Sequence, residues 1–448
     1  MDLRSPALTW IALALAAGLA AGCQQDAETD PPPAQGAAPP TEAQQDPEPY
    51  DSAGFELFLE MVDAYDSADD RHWLDSYALA RAIRAGDEEA IEEFTPIVRQ
   101  RVEANREALA LLERLADMEW GVPQQTGDMA DLAGNMADVF PKLADARSIA
   151  RLVGGAAALH HLEGRDAEAI ALLEDAYAGT AGLTHGGTVM YRLAYVSIVG
   201  ILAESELALL MDGLDVSADA LRAHAARLSE IRHSLGTPAE MIRAEKRMSA
   251  SAWDESVTDD MTPEEKATLE GLGDWAEEHY EEAARLAELP PAESGLAEYA
   301  AKVASDPTEA GGAKQALVGM LEVLPKAHVR HHQMLAQLVG VETVLLLRAH
   351  HKEHGEWPQS LDDLGAEIPS DPWTGGPVHY RPTPEGGRPF ALYLTGPDGV
   401  DDGGTSGGED RLEPDHVLVP WPIPWEKPAP PESTEGRLDM GMGPNVLE

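Results

Sequence analysis

A mainly α-helical chain that ends in a small α+β module is predicted by three observations. Alanine and leucine dominate a hydrophobic content of 44%, and aromatic residues make up only 5%, a balance that favours helices. Apolar residues recur at helical spacing through the middle of the chain. Near the C-terminus the period shortens to two, between turns rich in glycine and proline.

Residues 51–312 form the helical body. A helix opening at Ser148-Ile149 carries Leu152, Val153, Ala156 and Leu159 on one face and stops at Gly164, a natural terminator. Asp166 offers an N-cap to the next helix, where Ile170, Leu173 and Tyr177 line one side, so the two make an antiparallel hairpin. The Gly164-Arg165-Asp166 turn with its small neighbours resembles a tetratricopeptide unit, but no second copy follows at a period of about 34 residues. The body is therefore expected to be an irregular, TPR-like set of helical hairpins.

Thr188 starts a helix on which Val189, Met190, Leu193, Val196, Ile198, Ile201 and Leu202 cover most of the circumference, with Arg192 the only charge along that stretch. Such a helix belongs in the centre of a core. Ser217 caps a further helix with Leu221, Leu228 and Ile231 inward, and Thr262-Pro263-Glu264-Glu265 has the composition of a helix start.

Residues 313–426 change character. The pattern gives a helix to Leu324, a break at Pro325, and a second helix from about Ala327 to His354, closed by Gly355. Met334, Leu338, Val341 and Leu345 share a face, and Glu342 is expected at its solvated edge. Asp371-Pro372-Trp373-Thr374-Gly375 is a turn by its own chemistry. Val378 and Tyr380, then Phe390, Leu392 and Leu394, alternate with their neighbours and predict a hairpin, to which Val417 to Val419 adds an edge strand.

The ordered stations Gly355, Trp357, Pro358, Leu361, Leu364, Asp371, Pro372, Gly375, Tyr380, Tyr393, Gly396, Pro397, Asp398, Gly399, Asp401 and Asp402 resemble the globular end of the type II secretion major pseudopilin. The resemblance implies a pseudopilin-like fold for about 90 residues, a calcium ion held by Asp398, Asp401 and Asp402, and a role beside secretion components. Calcium takes about six to eight oxygen ligands, and Glu409, Asp410 and Asp415 are in reserve. A helical body leading into such a tail is also similar to envelope proteins common in planctomycete-type bacteria, a likeness that implies no particular activity.

The N-terminus supplies an address. Residues 1–22 begin with Arg4 and carry an apolar run from Ala7 to Ala21, and Cys23, the single cysteine, follows Leu19-Ala20-Ala21-Gly22. The run falls short of the roughly 20 apolar residues of a spanning helix and has the layout of an export leader. It resembles bacterial lipoprotein signals, which implies cleavage before Cys23 and acylation of that cysteine. Several acyl chains would hold a membrane stably, at about 0.8 kcal/mol per buried CH2. Gln24 then favours the outer membrane over the inner. Residues 23–50, rich in Pro, Gln, Ala and acids, read as a tether, and residues 427–448 as a disordered tail.

Charge excludes some partners. The chain has 80 acidic against 32 basic residues, a formal net charge of −48, and no Lys/Arg cluster to displace counterions from a nucleic acid. Among catalytic patterns, His350-His351-Lys352-Glu353-His354 fits H-x-x-E-H, in which two histidines hold zinc and the glutamate is the base. The leading expectation is nevertheless no enzymatic activity: a lipid-anchored scaffold or protein-binding module working with other envelope proteins. The alternatives are a secretion-system subunit and an exported zinc-dependent hydrolase using His350 and His354.

Overall fold

Chain direction is set by long helices that stack side by side before the sheet is reached. The computed structural model describes residues 52–66, 73–124, 129–255, 261–305, 314–382, 389–404 and 415–419. The first helices are α1 Ser52–Asp63, α2 Trp73–Ala85, α3 Glu88–Ala104 and α4 Arg106–Ala116. The central ones are α5 Met129–Leu162, α6 Asp166–Ala181, α7 Val189–Asp212 and α8 Ala218–Ser234. After them come α9 Pro238–Glu255, α10 Pro263–Leu286, α11 Pro291–Ser294, α12 Leu296–Ser305 and α13 Lys314–His354. The sheet consists of β1 His379–Pro382, β2 Phe390–Leu394 and β3 His416–Val419 in the order β1-β2-β3, antiparallel throughout.

The expected class is what forms: a mainly α chain with a small antiparallel β module at its end. The α5–α6 hairpin turns at Gly164, whose φ of 71° is left-handed and suits a residue without a Cβ. Two local expectations are corrected there. α5 begins at Met129 rather than Ser148, running through Pro141, and Asp166 is the first residue of α6 rather than its cap. Its carboxylate instead accepts from the Asp215 amide and lies 2.7 Å from His161 Nδ1.

α7 is central, as its composition requires. It is long and apolar enough to cross a membrane, but 72% of its most apolar window is buried by neighbouring helices. α2, α5 and α13 pack around it. Ser217 caps α8 by accepting from the Ala220 amide at 3.1 Å.

Pro325 does not break the chain into two helices; α13 runs through it from Lys314 to His354. A proline inside a helix costs about 3 kcal/mol, and packing offsets that cost here. Leu317, Leu321, Leu324 and Ala327 are buried against Leu272, Tyr280 and Ala284 of α10 and Leu296 and Ala300 of α12. Farther along, Met334, Leu338, Val341 and Leu345 belong to the main core, which also contains Phe390, Leu392, Leu394 and Leu418 of the sheet. α13 thus lies wholly beyond the compositional boundary at 312 but packs on helices that precede it.

Candidate functional site

Three gatherings of ionisable side chains among the described residues bear on function. The first is the loop after β2. Asp398 Oδ1 accepts from the Val400 amide at 3.0 Å and Asp401 Oδ1 from the Gly403 amide at 2.8 Å. Asp402 donates its own amide to Asp415 Oδ1 at 3.1 Å, and Gly404 donates to Asp415 Oδ2 at 2.6 Å. Asp415 is buried directly before β3, so it staples the loop to that strand.

Asp401 Oδ2 faces His379 Nδ1 at 3.5 Å, and the His379 ring stacks on Tyr393 with centroids 4.9 Å apart. The Gly403 amide, with His379, Tyr393 and Arg381 beside it, holds the Asp401 carboxyl below the usual range. Asp398, Asp401 and Asp402 therefore do share one loop, and Asp415, expected only as a reserve ligand, organises it. Among the described residues no three His, Cys, Asp or Glu side chains form a metal-holding group. Glu409 and Asp410 lie outside the described residues.

The second place is the end of α13. The His350 and His354 rings stack with centroids 4.2 Å apart and planes 22° apart, which aims their lone pairs alongside each other instead of at one point. His354 Nδ1 lies 3.0 Å from the His350 carbonyl and His350 Nδ1 lies 3.3 Å from that of Glu356. Glu353 accepts from both terminal nitrogens of Arg222, 2.7 Å from Nη1. That pairing draws its carboxyl below the usual range. Of the H-x-x-E-H residues, Glu353 ties α13 to α8.

The third place is the seam between helices, where sequence reading had placed no ionisable partners. His224 of α8 is fully buried, with Nδ1 2.6 Å from Glu174 Oε1 of α6 and Nε2 2.6 Å from Glu206 Oε1 of α7. Arg192 of α7 is equally buried and donates to the carbonyls of Thr184 at 2.7 Å, Thr237 at 3.2 Å and Gly236. Burial lowers its pKa to about 10, still well above neutral pH. His331 Nδ1 is 3.2 Å from Arg192 Nη1, and burial with the adjacent guanidinium keeps that ring neutral.

Glu342 is corrected from a solvated edge to a buried position. Arg232 of α8 reaches it at 2.7 and 3.3 Å, which supplies the partner that burial demands. Arg192 stood out as the one charge in an apolar stretch, and that isolation was the available signal. Its carbonyl partners in the turn before α7 and the loop after α8, and the Glu174 and Glu206 partners of His224, could not be named from spacing.

Cys23, the expected lipid site, lies outside the described residues. Neither a protein-family model nor a curated protein nor a solved structure matches the chain.

Proposed function

We propose that this chain is a lipid-anchored cell-envelope protein, held through Cys23, whose helical body is a non-enzymatic scaffold or protein-binding module. The observation that carries the reading is the lone cysteine directly behind an apolar leader and ahead of a proline-rich tether. The outer membrane is the proposed location, exported proteins of the envelope the partners. Support for a non-enzymatic role comes from how charged groups are spent: Glu353 is matched to Arg222, and His224 to Glu174 and Glu206, as ties between helices.

Calcium in the late loop belongs to the same reading. Asp398 and Asp401 each commit one oxygen to a neighbouring amide, and Asp401 turns the other toward His379, so a hard cation would draw on the second Asp398 oxygen and on backbone carbonyls.

Replacing Cys23 with serine tests the anchor. Processing is expected to stall and the protein to leave the detergent phase; unchanged processing and membrane fractionation would refute it. Calorimetric titration with calcium tests the loop separately, and a flat trace removes the ion without touching the anchor.

A further inference from the structure

We infer that His328, His331 and His332 form an acid-sensitive joint in α13, at which protons taken up in mild acid loosen α10, α12 and the first turns of α13 from the main core. The three lie where α13 passes from one core to the other. Ala327 is its last buried side chain in the core shared with α10 and α12, and Met334 its first in the main core. Their rings meet edge to face, His332 with centroids 4.7 Å from His328 and 5.6 Å from His331. Each ring faces a different part of the molecule: His328 the Leu289 backbone after α10, His331 the Arg192 guanidinium of α7 at 3.2 Å, and His332 the Trp373 ring of the main core at 5.9 Å. All three are buried, and His328 Nε2 has no hydrogen-bond partner.

The charges around the joint oppose protonation while it is closed. Arg192 is a fixed cation beside His331, and His185 before α7 and Glu240 of α9 interact with that guanidinium rather than with the three rings. Asp371, in the turn that carries Trp373, is committed to the amides of Trp373 and Thr395 and to the Thr395 hydroxyl. No carboxylate among the described residues acts on the three rings. Burial, with the neighbouring cations, holds His331 well below the usual histidine range and His328 at about 3, and burial lowers His332. Such rings stay neutral in the closed form and take protons once opened, so the closed form is fully favoured above about pH 6.5 and loses ground as pH falls. Glu245 of α9 works the other way. It accepts from the Val189 amide at 2.7 Å beside Tyr280 of α10, and burial raises it to about 7, so it favours closure as pH falls from there toward about 4. Each group changes the closed-to-open ratio about tenfold per pH unit, and two strongly lowered histidines against one carboxylate leave a net loss of about tenfold per unit below about pH 6.5.

Hydrogen exchange of the full chain at pH 7 and pH 5, corrected for the intrinsic effect of pH on exchange, tests the joint. Amides of α10, α12 and the first turns of α13 should exchange at least about tenfold faster at pH 5, while those of α5 keep their protection. His331→Gln and His328→Gln should each cut that acceleration at least about tenfold, and either variant suffices if the other fails to fold. Imidazole NMR of the unaltered protein gives a readout that needs no variant, with the three rings expected to be neutral at pH 5 in the closed form. Equal exchange at the two pH values, acceleration shared by α5, an undiminished response in a folded variant, or rings that titrate near 6.5 in the closed form overturns the proposal.

Discussion

Leu418 of β3 lies so close to the Gly340 backbone of α13 that a Cβ on residue 340 would come within 2.5 Å of its Cδ2. Leu418 is buried, and it seats the edge strand on the long helix. In an exposed helix interior, glycine to alanine stabilises by about 1 kcal/mol. Here the sign reverses. Gly340→Ala is expected to destabilise by about 1–3 kcal/mol through overpacking, read as a lower urea midpoint; a higher midpoint would mean that the strand does not sit there.

His224 makes stability depend on alkaline pH. Burial opposes its charged form, but Glu206 and Glu174 outweigh burial and push its pKa up to about 9. A pKa raised in the folded state contributes stability that is whole below the unfolded value of about 6.5 and is lost as pH rises through the folded one. Unfolding free energy should therefore fall between pH 7 and pH 9, and ring titration followed by NMR should report the raised pKa. His224→Gln should remove this pH dependence and, by leaving buried Glu206 without its cation, cost about 3–5 kcal/mol at neutral pH.

Arg232 and Glu342 form a pair whose halves are worth more to the fold than the whole. Burial raises the Glu342 pKa despite the guanidinium, which shows how unfavourable that site is for a charge. Arg232→Met alone should cost about 3–5 kcal/mol, because it strands a carboxylate in an apolar seam. Adding Glu342→Leu should recover most of that loss. Denaturant titrations of the two single variants and the double variant measure the coupling, and additive losses would deny it.

Asp371 clamps the Asp-Pro-Trp-Thr-Gly turn onto β2. Its carboxylate accepts from the Trp373 amide at 2.8 Å, the Thr395 amide at 2.8 Å and the Thr395 hydroxyl at 2.7 Å. Asp371→Asn keeps the shape but turns an NH2 group toward donors. A loss of about 1–3 kcal/mol is expected, with a shift in tryptophan emission as Trp373 loses its buried setting; an unchanged midpoint would show that the turn holds without the clamp.

Much of this architecture could be read from residue order because it depends on local chemistry. Gly164 and Gly355 ended helices through backbone preference, Ser217 began one through its own hydroxyl, and the alternation at Phe390, Leu392 and Leu394 placed β2. Pro325 misled for the converse reason. Its local effect was judged correctly, but the burial of Leu321 and Leu324 against α10 and α12 overrode it. Glu342 was misplaced because its partner stands 110 residues earlier in the chain. The loop after β2 was legible from its aspartates and glycines, whereas the organising role of Asp415 depended on a strand pairing across sequence that no turn motif encodes.

α13 gives the molecule one rod gripped by two separate cores, α10 and α12 near its start and α7, α8 and the sheet near its end. The halves on either side of residue 312 are consequently poor building blocks. Cutting there strips the α7–α8 layer of its roof and leaves Met334, Leu338, Val341 and Leu345 bare on the other fragment. Anyone dissecting the protein would do better to keep the rod whole and trim from the ends.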